Sequence, residues 1–178
     1  MNASIANEQE HMTSFTISVA TQADIPTILE LIRALAKFEH LAHELEATED
    51  SLREALFGQD AIARALVARV NGSELAGYAV FYRTFSTFVG RPGVFLDDLY
   101  VRPPFRKCGI GRALLQRVAK IGVELGGGRF EWIMLRWNEN AFHFYRSIGA
   151  KVMDDWTLLR LNAREVHNLA GMKTKVAA

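Results

Sequence analysis

Residues 101–115, with the sequence VRPPFRKCGIGRALL, decide the fold of this chain. The apolar residues up to Val101 predict a strand, and the run from Gly111 onward predicts a helix. The loop between them is basic and contains Gly109 and Gly111, which lack a side chain and let a ligand approach the backbone. The first N–H groups of a helix have no helical acceptor and carry the positive end of its dipole. The loop therefore predicts a site for a phosphorylated ligand.

Two common phosphate loops do not match this one. A Walker A loop needs Lys and then Ser or Thr at its end, whereas Gly111 is followed by Arg112 and Ala113. A dinucleotide fingerprint needs three glycines, and only two are spaced correctly here. The remaining pattern, Arg-x-x-Gly-x-Gly over residues 106–111, resembles the acetyl-CoA pyrophosphate loop of the GNAT N-acetyltransferases.

The composition is that of an ordinary globular chain. Its 178 residues are 49% hydrophobic and 23% charged, which predicts one domain. A net charge of +1 gives no general attraction to nucleic acid or to a membrane, so we expect neither as a partner. A single cysteine excludes an internal disulfide and favours a cytoplasmic location. We expect a disordered tail over residues 1–13, a single domain over 14–170 and a C-terminal tail over 171–178.

Hydrophobic periodicity predicts six strands and four helices. The predicted strands are 15–19, 65–70, 75–85, 94–101, 130–137 and 156–161, and the predicted helices are 25–41, 48–58, 111–125 and 138–147. This order resembles that of the GNAT fold. The resemblance implies an α/β (α+β) architecture, a mixed but mostly antiparallel twisted sheet of six to seven strands flanked by about four helices.

Four blocks of sequence, compared in order, make the resemblance specific to one group of these enzymes. These are residues 31–39 (LIRALAKFE), 96–101 (LDDLYV), 106–111 (RKCGIG) and 137–150 (WNENAFHFYRSIGA). They are similar to the spermidine/spermine (diamine) N-acetyltransferases and to their thialysine-acetylating relatives. The resemblance implies direct transfer of an acetyl group from acetyl-CoA to a primary amine of a small cationic substrate, without a metal, by a homodimer.

Tyr145 is the first catalytic candidate. The resemblance implies that its hydroxyl is the general acid that protonates the sulfur of CoA. A phenol with a pKa near 10 can give a proton to a departing thiolate with a pKa of about 8.5. The alternative is an aromatic side chain that packs beside Phe142 on one helix face.

Asp97 and Asp98 are adjacent on a predicted strand, so their side chains point to opposite faces and only one can face the site. A carboxylate there can bind a protonated amine and help to remove a proton. The related enzymes usually have glutamate at the position of Asp97. The shorter Asp97 therefore favours proton removal through a water molecule. The alternative is a solvated carboxylate at the end of a strand.

The resemblance also implies that Glu39 lines the amine channel and that Phe88 and Trp156 occupy aromatic positions along it. A ring can stack on an alkylammonium chain, and phenylalanine is a poorer partner than tryptophan. We therefore expect a short diamine or a thialysine-like amine to be a better substrate than spermine. Glu44 and Glu46 are either part of this acidic lining or members of a solvated loop.

Thirteen residues are assigned to acetyl-CoA by the resemblance, with the N–H of Leu99 or a neighbour as the donor to the thioester oxygen. They are Leu99, Tyr100, Val101, Arg106, Lys107, Cys108, Gly109, Ile110, Gly111, Arg112, Asn138, Phe144 and Arg146. Asn138 can also serve as a helix N-cap. Cys108 is interpreted as a loop residue, because direct transfer does not use a cysteine nucleophile. The five histidines show no spacing typical of metal ligands.

Two other functions remain open. One is a non-catalytic acyl-CoA-binding sensor that keeps the phosphate loop. A positioned acid and base argue against it, since binding alone needs neither. The other is an enzyme that acetylates a protein or peptide amine.

Overall fold

The computed structural model describes residues 14–172. These described residues fall into two compact units, which divide between Leu135 and Arg136. The predicted tail over 1–13, and residues 173–178 of the predicted C-terminal tail, lie outside the described residues. The single domain over 14–170 stays a prediction.

The first unit is built on a sheet with the strand order β1-β2-β3-β4-β5. The strands are β1 (Phe15–Val19), β2 (Arg64–Val70), β3 (Glu74–Ser86), β4 (Arg91–Val101) and β5 (Arg129–Trp132). Neighbours from β1 to β4 are antiparallel, and β4 pairs with β5 in parallel. The predicted mixed sheet is confirmed, although the described residues form five strands where six to seven were expected.

Three helices accompany this sheet and two belong to the second unit. The first three are α1 (Ile25–Phe38), α2 (Glu49–Phe57) and α3 (Ile110–Glu124), and the last two are α4 (Glu139–Ser147) and α5 (Ala163–Leu169). For α2, the local sequence explains both ends of the helix. The Thr48 hydroxyl accepts a hydrogen bond from the N–H of Ser51 at the start of α2, and Gly58 follows its last turn.

Two predicted strands differ from the structure. The strand predicted at 130–137 ends at Trp132, and the strand predicted at 156–161 is not formed. A strand needs the backbone of a neighbour, and the described part of the second unit contains no other strand. The sequence analysis also missed α5, which is short and fully exposed.

The sheet is covered on both faces. One face packs against α1 and α2 in a buried cluster that includes Ile28, Leu31, Val67, Tyr78 and Tyr100. The other face contacts α3, whose apolar stripe is buried. Covering both faces explains why β2 and the first half of β3 are buried almost throughout instead of alternating.

A bulge in β4 interrupts the regular pairing with β3. Phe81 pairs with Leu96, but Val80 pairs with Asp98, so Asp97 is the extra residue on β4. Paired residues share a face of the sheet, and a shift of one residue moves every later side chain to the other face. The bulge therefore places Asp98 and Tyr100 on the face that carries α1 and α2, while Leu96 stays on the face of α3.

The start of α1 is tied to the sheet by a buried ion pair. Asp24, which is only 6% exposed, accepts hydrogen bonds from Arg69 at 2.9 Å and from the N–H of Thr21 at 2.8 Å. Burial raises the pKa of Asp24, but the bonds from Thr21 and Arg69 outweigh it and the pKa is lowered overall. The pair fixes α1 on its face of the sheet.

We expect Asp24→Asn to lower the free energy of unfolding by about 3 kcal/mol at pH 7, because it leaves the Arg69 guanidinium without its charge partner. The folded-state pKa of Asp24 is depressed, so its contribution is complete above the unfolded value. It is lost as the pH falls through the folded value, and the difference between the two proteins should shrink below about pH 4. Denaturant unfolding of the wild type and Asp24→Asn, at pH 7 and below about pH 4, measures this difference in stability.

Glu30→Gln is the matched control. Its ion pair with Arg102 is longer, at 3.6 Å, and the Glu30 side chain is 63% exposed. We expect a loss below about 1 kcal/mol. Equal losses for the two variants would contradict the importance of the buried pair.

Candidate active site

An acidic pocket of about 180 Å³ lies between the end of α1, the loop that follows it, and β4. Its walls are apolar apart from three carboxyl groups. It is lined by Ile32, Leu35, Ala36, Glu39, Leu41, Glu44, Leu45 and Asp98. Carboxylates with apolar surroundings and no countercharge among the lining side chains are suited to a small organic cation.

Asp98 is the innermost of these groups. Its Oδ2 accepts a hydrogen bond from the hydroxyl of Tyr78 at 2.9 Å. Burial raises the pKa of Asp98 to about 6, the Tyr78 hydrogen bond opposes the rise, and the charges of Asp97 and Glu39 add to it. Asp98 is therefore ionised at neutral pH but close to taking up a proton.

Glu39 follows the last residue of α1 and is half-buried. Burial raises its pKa as well. Two carboxyl groups whose pKa values are both raised favour any ligand that brings positive charge, because the ligand offsets the burial and the mutual repulsion.

The sequence analysis favoured Asp97 over Asp98 as the carboxylate of the amine site, but the two have different surroundings in the structure. Asp97 is exposed at the bulge, whereas Asp98 lines the pocket. Asp97 still lies close enough for its charge to raise the pKa values of Asp98 and of Tyr82. The aspartate that lines the pocket is thus Asp98, and Asp97 is not one of the lining residues.

The loop before α3 has the geometry of a phosphate cradle. Gly109 is the N-cap of α3 with φ of 86°, and Lys107 has φ of 65°. A Cβ built at Gly109 meets no atom within 4 Å, and one at Gly111 meets only Val101 at 3.9 Å. The space beside this backbone is therefore open, and the first N–H groups of α3 face it with no helical acceptor. These residues fit a pyrophosphate.

Arg106 anchors this loop to the sheet. Its Nε donates to the carbonyl of Val101 at 2.9 Å, and its guanidinium lies over the rings of Phe38 and Tyr100 at 5.3 and 5.5 Å. Exposed Lys107 and Cys108 follow it in the loop. Arg106 thus holds the loop in place, which the sequence motif did not predict.

The edge of β4 is open beyond the bulge. The N–H of Arg102 donates a hydrogen bond to the β3 carbonyl of Ala76 at 2.8 Å. In an antiparallel ladder, the backbone groups of every second residue point to the neighbouring strand. The N–H groups of Leu99 and Val101 therefore point away from β3. The bond from Arg106 to the Val101 carbonyl agrees with this direction. Pairing with β5 ends at Leu96, so the edge has no neighbouring strand among the described residues.

Five predicted residues belong to the second unit: Asn138, Phe144, Tyr145, Arg146 and Trp156. In the second unit, Asn138 caps α4 by accepting a hydrogen bond from the N–H of Ala141 at 3.1 Å, which confirms its interpretation as an N-cap. Tyr145 lies in the last part of α4, its ring tilted against that of Phe144 at 5.3 Å. Arg146 occupies the last turn, and Trp156 lies in an irregular segment.

Phe88 lies at the tip of the β3–β4 hairpin, is 90% exposed, and does not line the pocket. The sequence analysis missed Tyr78. Its place in an apolar strand predicts a buried ring, but nothing in the sequence pairs it with Asp98.

Two absences concern the described residues alone. Between residues 14 and 172, no cluster of three His, Cys, Asp or Glu side chains is arranged to hold a metal ion. In the same range, no helix combines the length and apolar character needed to cross a membrane.

Comparison with known proteins identifies the class. The sequence profile of the acetyltransferase (GNAT) family matches residues 27–150, and the chain belongs to this family. It is an N-acetyltransferase, and acetyl-CoA is the acetyl donor used by the family. The resemblance seen in the sequence is confirmed.

Individual relatives agree with this assignment. The chain is 34% identical over 170 residues to a thialysine N-epsilon-acetyltransferase of Mus musculus, covering 90% of this chain and 99% of the relative. It is 31% identical over 195 residues to an L-ornithine N5-acetyltransferase of Arabidopsis thaliana, covering 85% and 86%. An integron cassette protein from the mobile metagenome of V. cholerae has the same fold, with a TM-score of 0.73 at 22% identity over 88% and 98% of the two chains.

We expect Gly109→Val to weaken acetyl-CoA binding at least tenfold, because a β-branched side chain disfavours the positive φ and fills the space beside the backbone. Gly111→Val should weaken binding through the second effect alone. Titration calorimetry measures both. Gly72→Val is the control, since Gly72 has φ of 80° and open space in a distant hairpin turn. Unchanged affinity in both loop variants would rule out the cradle.

Proposed function

We propose that this enzyme transfers the acetyl group of acetyl-CoA directly to the terminal amine of a short cationic side chain or diamine, such as thialysine, ornithine or putrescine. The observation that carries the proposal is the acidic pocket. Its volume of about 180 Å³ is below the roughly 300–1,000 Å³ of pockets for drug-sized ligands. A pocket of this volume has room for a short aminoalkyl arm. The names of the curated relatives support the same substrate class.

Three carboxylates share the handling of the amine. An alkylamine with a pKa near 10 arrives as an ammonium ion. Asp98 and Glu39 bind that ion inside the pocket, where its charge offsets the burial that raises their pKa values. Asp97, exposed beside them, takes a proton from the ammonium through a water molecule. The neutral nitrogen can then attack the thioester carbonyl.

Backbone groups and Tyr145 complete the reaction. The N–H of Leu99 points from the open edge of β4 and stabilises the negative oxygen of the tetrahedral intermediate. Tyr145 protonates the thiolate as the intermediate collapses. The nitrogen loses two protons in total: one is matched by the proton that reaches the sulfur, and the other leaves to solvent.

The loop of residues 106–111 and the start of α3 hold the pyrophosphate of acetyl-CoA, which supplies the activated acetyl group. The other residues predicted to bind it are proposed to contact the rest of the molecule, with Asn138 reaching the pantetheine arm. The single catalytic domain proposed over 14–170 is supported by the family profile for residues 27–150.

The resemblance to polyamine enzymes also supports a homodimer, which light scattering would detect. The single exposed cysteine is compatible with the reducing conditions of the cytoplasm, the proposed location.

We expect kcat/KM for thialysine, ornithine or putrescine to exceed that for spermine in an assay of free CoA thiol. Lysine and a peptide panel complete the comparison. A strong preference for spermine would contradict the short-amine proposal. Turnover of peptides alone would show instead that the enzyme acetylates a protein or peptide amine.

Glu39→Gln and Asp98→Asn should each raise the KM for the amine by about 10- to 100-fold, the range of one charge-assisted hydrogen bond. The KM for acetyl-CoA should not change. Asp97→Asn should act mainly on kcat. Glu46→Gln is the matched control, an exposed carboxylate of the same loop that does not line the pocket. Equal effects at positions 39 and 46 would remove the argument for an acidic pocket.

Tyr145→Phe should lower kcat by about 10² to 10⁴, the span typical of a general acid, with acetyl-CoA affinity nearly unchanged. The change removes one hydroxyl and keeps the ring against Phe144. Steady-state kinetics and calorimetry on the same preparation separate the two effects. If Tyr145→Phe keeps the wild-type kcat, Tyr145 is not the general acid and its role is packing.

A further inference from the structure

Tyr78 has an unusual position for a core tyrosine. Its side chain is fully buried in the cluster between the sheet and α1, and its hydroxyl donates to Asp98 at 2.9 Å. The bulge makes this bond possible. Val80 pairs with Asp98, so Tyr78, two residues along β3 on the same face, is the diagonal neighbour that a long aromatic side chain can reach.

We propose that Tyr78 is a positioning residue, which keeps the Asp98 carboxylate ionised and aims its second oxygen into the pocket toward the ammonium group of the substrate. This inference rests on the proposed function, since it concerns how the amine is received.

The surroundings of Asp98 show why a donor is needed there. The charged and titratable groups that face it are Asp97 on β4, Glu39 at the end of α1, Glu44 across the pocket and Tyr78 on β3. Burial, followed by the charges of Asp97 and Glu39, favours the protonated form of Asp98. A protonated Asp98 cannot balance an ammonium ion. The hydrogen bond from Tyr78 stabilises the ionised form and opposes the other effects.

Tyr78 is suited to this role over the whole working range of pH. Burial, followed by the charge and hydrogen bond of Asp98, raises the pKa of Tyr78 well above its usual value. The phenol therefore keeps its proton and always acts as the donor. Because the bond occupies Oδ2 and Asp98 lines the pocket, the other oxygen is the one left to receive the substrate.

The test is the pH dependence of kcat/KM for the best amine in wild type and in Tyr78→Phe. We expect the wild-type profile to fall below about pH 6, where Asp98 takes up a proton. Loss of one hydrogen bond to a charged group should move this acidic limb upward by about one to two pH units. Above the shifted limb, kcat/KM should return toward the wild-type value.

Three further variants define the origin of the shift. Asp98→Asn should abolish the limb. Tyr82→Phe removes a phenol from the same strand that stacks on Phe95, and it should leave the limb in place. Tyr78→3-fluorotyrosine keeps the ring and makes the hydroxyl a stronger donor, so it should move the limb to lower pH. It also provides the test if Tyr78→Phe does not fold.

A readout that needs no turnover separates this inference from the proposed function. Carbon NMR of labelled aspartate, assigned with Asp98→Asn, follows the Asp98 carboxyl directly. Its pKa should rise in Tyr78→Phe. A purely packing role would lower the melting temperature and leave both the limb and the NMR titration unchanged, which would overturn the inference. The other outcome is that the pKa of Asp98 rises in Tyr78→Phe but no amine is acetylated. The proposed substrate class then fails, although Tyr78 still controls the pKa of Asp98. In that case the assignment of this control to ammonium binding is overturned.

Discussion

The extra residue in β4 is the constraint on which the pocket depends. Without the bulge at Asp97, the pairing with β3 would continue in register, and Asp98 and Tyr100 would face α3. With it, Asp98 lies on the same face as Tyr78 and the end of α1. A bulge also bends a strand and disrupts its ladder, and β5 pairs with β4 only up to Leu96. One residue thus accounts for both the acidic pocket and the open edge.

The electrostatics of the pocket follow from that placement. Asp98 and Glu39 both line a pocket with apolar walls, where burial raises the pKa of each and the charge of Glu39 raises that of Asp98 further. A folded protein tolerates such an arrangement when a donor and a ligand compensate for it. Tyr78 is the donor within the fold, and an ammonium ion is the matching ligand. The strained charge distribution of the pocket is therefore the basis of the proposed selectivity for a cation.

The same strand connects this pocket to the phosphate loop. Beyond the bulge, β4 runs through Leu99 to Val101 and enters the loop that precedes α3. Arg106 bonds to the Val101 carbonyl and stacks on Phe38, the last residue of α1 and the neighbour of Glu39. The cradle and the acidic pocket are consequently held by one set of contacts, so that a shift of β4 moves both.

The sequence by itself determined the elements whose signals are local. Alternation defined β1, caps at Thr48 and Asn138 defined two helix starts, and the motif ending at Gly111 predicted a phosphate loop and pointed to the family. Only the tertiary structure decided which aspartate enters the pocket. A bulge is a property of the pairing between two strands, and the Tyr78–Asp98 bond spans 20 residues of sequence. Periodicity along one strand contains no information about the register of its neighbour, so side-chain direction after the bulge could not be predicted.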